Sequence, residues 1–181
     1  MKKNKILRSL LCCLALAVSS GCGKALPEPF EENGKWGYRL KDGTVRVKPG
    51  FIAANEFSKK GVAFAADMEA WLCLDAGGHV LLRPFIYDNG PDDFSEGLAR
   101  FTEAGRTGFF DTKCRKVIPA LYDSALPFRD GAAEGCFGCK ETAAGEHKVL
   151  SGGKWGLIDV NGNVLVKPEH AGPEAARKAA D

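Results

Sequence analysis

Cys136 and Cys139 form a C-x-x-C within "GCFGCKETAAGEHKVLSGG" (residues 135–153), and His147 follows in the same stretch. Three chemistries suit thiols at this spacing. The first is a structural disulfide, local or shared with Cys73 and Cys114; four cysteines allow three pairings. The second is thiol–disulfide exchange, which needs a thiolate of lowered pKa, usually at a helix N-terminus in a βαβ setting. No such setting is visible around residues 136–139. The third is a zinc site using Cys136, Cys139 and His147, with Cys114 as a possible fourth ligand, although a second close ligand pair is missing. The structural disulfide is the expectation carried forward.

Other polar groups offer less. Asp88, Asp92, Asp93 and Glu96 cluster in "YDNGPDDFSEG". Such a cluster could serve acid–base work or calcium. The corresponding stretches "FSKKG" and "FRDG" lack it, so a solvated bend is the simplest reading. His79 replaces a turn residue, and His170 lies near the C-terminal tail; neither has a partner apparent in the sequence. The motifs G-x-S-x-G and H-E-x-x-H and a phosphate-binding glycine loop are absent from the sequence, so no catalytic residue, no enzyme activity and no cofactor are expected.

The elements that must position these groups come from a repeat. Trp36 precedes Pro49, Trp71 precedes Pro84 and Trp155 precedes Pro168, each by 13 residues, while Thr107 precedes Pro119 by 12. Six residues before each proline stands Gly43, Gly78, Lys113 or Gly162. A second signature recurs as "FSKKGVA", "FSEGLA" and "FRDGAA". Trp36, Tyr38 and Leu40 alternate with Gly37, Arg39 and Lys41, the period of a half-buried strand. Asp42-Gly43 and Asn161-Gly162 read as type I′ turns, and Pro49 as the end of pairing. A third short strand is expected at "GVAFA", "GLARF" and "GAAEG". A lone hairpin is marginal in water, whereas copies placed together bury a shared face. Trp36, Trp71 and Trp155 are therefore expected in the core. The glycine after the tryptophan leaves room for a neighbouring backbone or ring. The step from Thr107 to Trp155 is 48 residues, against 35 and 36 before it, so an extra hairpin is expected near 135–152.

"KWGYRLKDG", "FSEGLARF" and "KWGLIDVNGNVLVKP" resemble the WG repeat family of mostly bacterial β-rich proteins. The likeness spans residues 34–170. Trp36-Gly37 and Trp155-Gly156 keep the family dipeptide, Trp71 keeps only the tryptophan and Gly108 only the glycine. The resemblance implies an all-β tandem array of short antiparallel hairpins, solenoid-like or partly propeller-like. It implies a binding or scaffold role and brings no catalytic residues.

The N-terminus reads as an export signal: "MKKNKILR" is basic, "SLLCCLALAV" apolar and "SSGC" small. The last stretch resembles the lipobox of bacterial lipoproteins, which implies acylation of Cys22 and, with Gly23 following, a place at the outer membrane. The layout expected is a signal helix over 1–21, a lipid-anchor tether over 22–33, the repeat domain over 34–170, with three repeats and a final half repeat, and a tail over 171–181. The formal charge is +2, and removing Lys2, Lys3, Lys5 and Arg8 leaves −2. A mildly acidic body is a poor nucleic-acid binder. The expected function is a non-catalytic envelope lipoprotein presenting its repeat surface to a protein, peptide or cell-wall component. The alternatives are a zinc- or thiol-dependent factor built on Cys136–His147, and a purely structural lipoprotein.

Overall fold

Tight turns set the strand plan. Two-residue loops whose central residues both have positive φ form at Asn33-Gly34, Asp88-Asn89, Glu96-Gly97, Ala104-Gly105 and Asp130-Gly131. This is the type I′ geometry that matches strand twist. The loops expected to share it are different. At Lys41-Asp42-Gly43 only Gly43 has positive φ, and Gly43 N–H donates to Leu40 while Leu40 N–H donates to Thr44. Asn161-Gly162 closes in the same way, with Gly162 N–H on Asp159 and Asp159 N–H on Asn163. These are three-residue loops in which a type I turn ends on a left-handed residue.

The computed structural model describes residues 25–144 and 147–180. They form four antiparallel meander sheets. Sheet 1 holds β1 (Glu28–Glu32), β2 (Lys35–Arg39) and β3 (Val45–Phe51). Sheet 2 holds β4 (Ala53–Ala54), β5 (Val62–Ala66), β6 (Trp71–Asp75) and β7 (Val80–Leu82). A small hairpin, β8 (Ile86–Tyr87) and β9 (Gly90–Pro91), precedes sheet 3, which holds β10 (Leu98–Glu103), β11 (Arg106–Asp111) and β12 (Lys116–Tyr122). Sheet 4 holds β13 (Ser124–Ala125), β14 (Ala132–Ala144), β15 (His147–Asp159) and β16 (Val164–His170). A short helix, α1 (Pro173–Lys178), follows. The all-β repeat architecture and the third strand at 62–66, 98–103 and from 132 onward agree with the sequence reading. β1 does not: it lies within the segment read as tether, where Glu32 pairs with Lys35 around Asn33-Gly34.

The proline does not end the pairing in three of the sheets. Trp36 pairs with Phe51 and Tyr38 with Val47, so Lys48, Pro49 and Gly50 bulge opposite Gly37. The same bulge faces Gly108 and Gly156. A Cβ on Gly37 would lie 2.6 Å from the Val47 carbonyl oxygen, and one on Gly156 2.5 Å from that of Val166. The glycine after the tryptophan is thus required by the backbone folded over it, as its position suggests. Sheet 2 has Leu72 there instead. β7 stops at Leu82, and Pro84 bridges to Phe101 of sheet 3.

The sheets are joined by apolar clusters in one repeating sense. The face of sheet 1 carrying Tyr38 packs on Leu72 and Leu74 of sheet 2. The face of sheet 2 carrying Cys73 packs on Phe110 of sheet 3, and Phe109 of sheet 3 shares a cluster with Ile158 of sheet 4. Trp155 and Leu157 of sheet 4 then cluster with Ala176 of α1. Hairpin tips seat on the preceding sheet: a Cβ on Gly78 would meet Val47, and one on Gly162 would meet Ile118. Of the three tryptophans, only Trp155 is buried; Trp36 and Trp71 are half-buried at strand starts. The rings at the centre of the junctions are Tyr38, Phe109 and Phe110.

Candidate functional site

The C-x-x-C lies in a β-strand. Cys136 pairs with Trp155 and Cys139 with Gly152 across β14 and β15, and the two cysteines are joined as a disulfide. Opposite them, Gly152 and Gly153 both have positive φ. A Cβ on Gly153 would lie 2.6 Å from the Cys136 sulfur and 2.7 Å from that of Cys139. The disulfide therefore sits in a crimp made for it, beside the buried Trp155. Asp123 accepts a hydrogen bond from Gly138 N–H at the same bulge. Beyond the crimp the two strands continue as a paired arm to Ala144 and His147. The inserted residues thus lengthen β14 and β15 and do not form a separate hairpin.

The arrangement has the local disulfide of the first sequence reading. Both thiols are consumed in the disulfide, so a zinc site on Cys136, Cys139 and His147 does not fit. His147 also stands five residues along β15 from Gly152, roughly 17 Å at strand rise. Among the described residues no group of three or more His, Cys, Asp or Glu is placed to hold a metal ion. No helix begins at either cysteine, as a lowered-pKa thiolate would ask.

The second disulfide, Cys73–Cys114, ties sheet 2 to sheet 3. It defines the pairing that the sequence left open. Cys114, not Lys113, occupies the left-handed position of its hairpin tip, at φ 55°, where the equivalent tips use Gly43, Gly78 and Gly162. At Gly78 and Gly162 the missing Cβ lets the tip rest on the sheet before it. Here the side chain spans the junction as a covalent bond.

Three of those tips share a feature not picked out in the sequence. Asp75, Asp111 and Asp159 each end their strand and accept hydrogen bonds from the backbone N–H groups two and four residues on. The second carboxylate oxygen of each takes a side-chain nitrogen of His79, Arg115 or Asn163. His79 therefore has a partner, Asp75, at 2.9 Å. Burial pushes the Asp75 and Asp111 carboxyls up, but these donors outweigh it and hold both below the usual range. Asn163 and its neighbours do the same for Asp159. The pattern was available as Asp followed four residues later by His, Arg or Asn.

The acidic stretch at 88–96 is divided among structural roles. Asp92 is buried against Arg100, with both carboxylate oxygens 2.8 Å from guanidinium nitrogens. Arg100 also donates to the Ala125 carbonyl and lies 4.2 Å from the Phe85 ring centroid. Glu96 accepts from Gly131 N–H. A calcium loop would need these oxygens converging on one point; among the described residues no such group is placed to hold a metal ion.

What the repeat leaves exposed is an edge. β3, β7, β12 and β16 are each last in their sheet. They expose Val45, Val80, Leu81, Val117, Val164 and Leu165. Arg46, Lys48, Arg83, Lys116 and Lys167 are exposed on the same edge segments. A separate cavity of about 380 Å³ opens between sheets 2 and 3, lined by Val62, Phe64, Phe94 and Cys114 with Lys59 and Lys60 at its mouth. The Cys22 reading lies outside the described residues.

Fold and surface define a β-repeat protein built of stacked meander sheets. The family model for the WG containing repeat matches residues 108–134 and 155–169, which lie in sheets 3 and 4, and supports a WG repeat protein. No curated protein and no solved structure matches the chain.

Proposed function

We propose that this chain is a non-catalytic, lipid-anchored protein of the bacterial cell envelope that presents its repeat stack to a protein, peptide or cell-wall component. The observation that carries the reading is the repeated edge. Four sheets of one plan each end in a strand with no further strand beside it in its sheet among the described residues, with apolar and basic side chains exposed on it; past β7 the chain pairs onward, where Pro84 bridges to Phe101. An edge of this kind is a template for added strands and for extended segments. Repetition places equivalent positions in register along a stack, which suits an extended partner. The anchor at Cys22, and the outer membrane as its place, rest on the "SSGC" resemblance and Gly23.

The test is chemical cross-linking of the lipidated protein in its native envelope, followed by identification of what is attached. The control is the same protein carrying Val80→Glu and Val164→Glu, which puts carboxylates on two edges. A reproducible partner that is lost in the control supports the reading. A cross-linking pattern no different from background leaves a purely structural lipoprotein. Mass spectrometry of the mature N-terminus tests the anchor: an acyl-modified Cys22 is expected, and an unmodified N-terminus elsewhere sinks that part.

A further inference from the structure

The chain between Cys22 and the packed body is short. Pro27 is buried, and β1 begins at Glu28, which pairs with Arg39 at the end of β2. Leu26 stands against the loop before β5, where a Cβ on Gly61 would lie 3.9 Å from its Cδ2. Ala25, Leu26 and Pro27 wall a cavity of about 690 Å³ with Lys41, Glu56 and Phe57. The body is thus packed from residue 25 onward. Cys22 stands three positions before Ala25, so even fully extended backbone separates the two Cα atoms by no more than about 11 Å. A flexible linker of about 20 residues would span about 25 Å on average and leave the body free to turn.

That reach fixes which part of the body lies beside whatever holds Cys22. It is the set of strand ends around Ala25 and their turns. Lys41 follows β2 and lies 3.4 Å from Glu28. Lys59 and Lys60 stand exposed in the loop before β5. Lys60 donates to the Thr112 hydroxyl in the turn between β11 and β12, beside the exposed Lys113. Glu28, Asp42, Glu56 and Asp93 are exposed on the same and neighbouring loops. The surface therefore carries both signs. Amines that can meet phosphates, interspersed with carboxylates that can meet ammonium groups, suit a zwitterionic headgroup layer. The β14–β15 arm lies elsewhere. His147 is eight residues along β15 from Trp155, about 26 Å at strand rise. The turn it closes corresponds to Asn33-Gly34 of sheet 1, at the other end of β2 from Arg39.

We propose that the strand ends around Ala25, with the turns that carry Lys41, Lys59 and Lys60, rest on the phospholipid headgroups of the leaflet that holds the acyl chains of Cys22. The lysine amines meet headgroup phosphates, and the exposed carboxylates meet headgroup ammonium groups. The β14–β15 arm leaves sheet 4 at the opposite strand ends and stays clear of the bilayer. This deepens the lipid-anchor reading and rests on it.

The experiment places the acylated, full mature chain on preformed vesicles of phosphatidylethanolamine and phosphatidylglycerol. A membrane-impermeant amine reagent, sulfosuccinimidyl acetate, is added, and the modification rate of each lysine is read by mass spectrometry. The comparison chain carries a flexible Gly-Ser insert of about 20 residues after Gly23. Each lysine is compared with itself in the two chains. Lys41, Lys59 and Lys60 are expected to react at least fivefold faster with the insert. Lys140 and Lys154, both exposed on sheet 4, should react at the same rate in both chains. Equal rates at Lys59 and Lys60 in the two chains, or slowing confined to Lys140 and Lys154, would overturn the docking. Flotation of the vesicles tests the anchor separately. A chain that floats but shows equal rates removes the docking and keeps the anchor, whereas a chain that stays in solution removes the anchor and the docking with it.

Discussion

At the residue scale, the glycine after the tryptophan has the sharpest physical reason for its identity. Gly156 faces a backbone bulge whose atoms would lie 2.5 and 2.9 Å from a Cβ. Gly156→Ala should therefore cost about 1–3 kcal/mol, as overpacking does. Gly90→Ala, where nothing lies within 4 Å, should stay within about 0.5 kcal/mol. Urea denaturation of both variants checks the contrast. The turn aspartates make a different kind of prediction. Asp75, Asp111 and Asp159 have folded pKa values below their ordinary ones. A lowered carboxyl stabilises the fold above its ordinary value, near pH 4, and loses that contribution as pH falls through the folded value. Asp159→Asn should lower the urea midpoint at neutral pH and make its decline below about pH 4 shallower. The glycine role could be read from the sequence because spacing exposes it. The aspartate role could have been read the same way but was hidden behind the more familiar Asp-Gly and Asn-Gly pairs. Those pairs suggested type I′ loops, whereas the aspartate two residues before Asn161 closes the loop by side-chain hydrogen bonds.

At the element scale the two disulfides do different work. Cys73 and Cys114 are 41 residues apart, Cys136 and Cys139 only three. On the chain-entropy account, losing the first should cost about 4 kcal/mol and the second about 2. Paired alanine variants compared by thermal denaturation should show that order, and an equal cost would refute it. The variant Cys73→Ala with Cys114→Gly should recover about 1–2 kcal/mol relative to the double alanine, because position 114 is left-handed. Cysteine spacing made the candidates visible but not the pairing, since connectivity depends on which sheet stacks on which. The length of the insertion was also readable. That it extends an existing pair of strands was not, because the Gly152-Gly153 crimp keeps register across it only in three dimensions. β1 was the avoidable miss: the two prolines and glutamates around Phe30 look like a linker, while Asn33-Gly34 is a strong hairpin signal.

At the scale of the whole molecule, the stack has a direction. Each sheet offers one face to the next, so the two end faces differ. On sheet 1 the outward face has Arg39 where the inner sheets have Leu74, Phe110 and Ile158, and the guanidinium lies 4.9 Å from the Phe30 ring centroid. On sheet 4 the outward face carries Trp155 and Leu157, and α1 covers it with the fully buried Ala176. Arg177 fixes the helix by its 2.7 Å bond to the buried Glu134. Repeat stacks need polar or covered ends, because an open apolar end accepts the complementary end of another copy. The sequence does not reveal this cap; "GPEAARKAAD" has helical residues and nothing that says where the helix docks. Removing residues 172–181 should uncover Trp155 and Leu157 and lower stability. The face exposed would complement the outward face of sheet 1, a head-to-tail contact that does not close on itself. Light scattering should then show assembly that grows with concentration, and adding Arg39→Leu should strengthen it by removing the charge from the opposing end. Glu134→Gln in the intact chain should loosen the helix without removing it and give weaker assembly. A truncated chain that remains monomeric at every concentration would show that Trp155 and Leu157 are not the surface α1 guards.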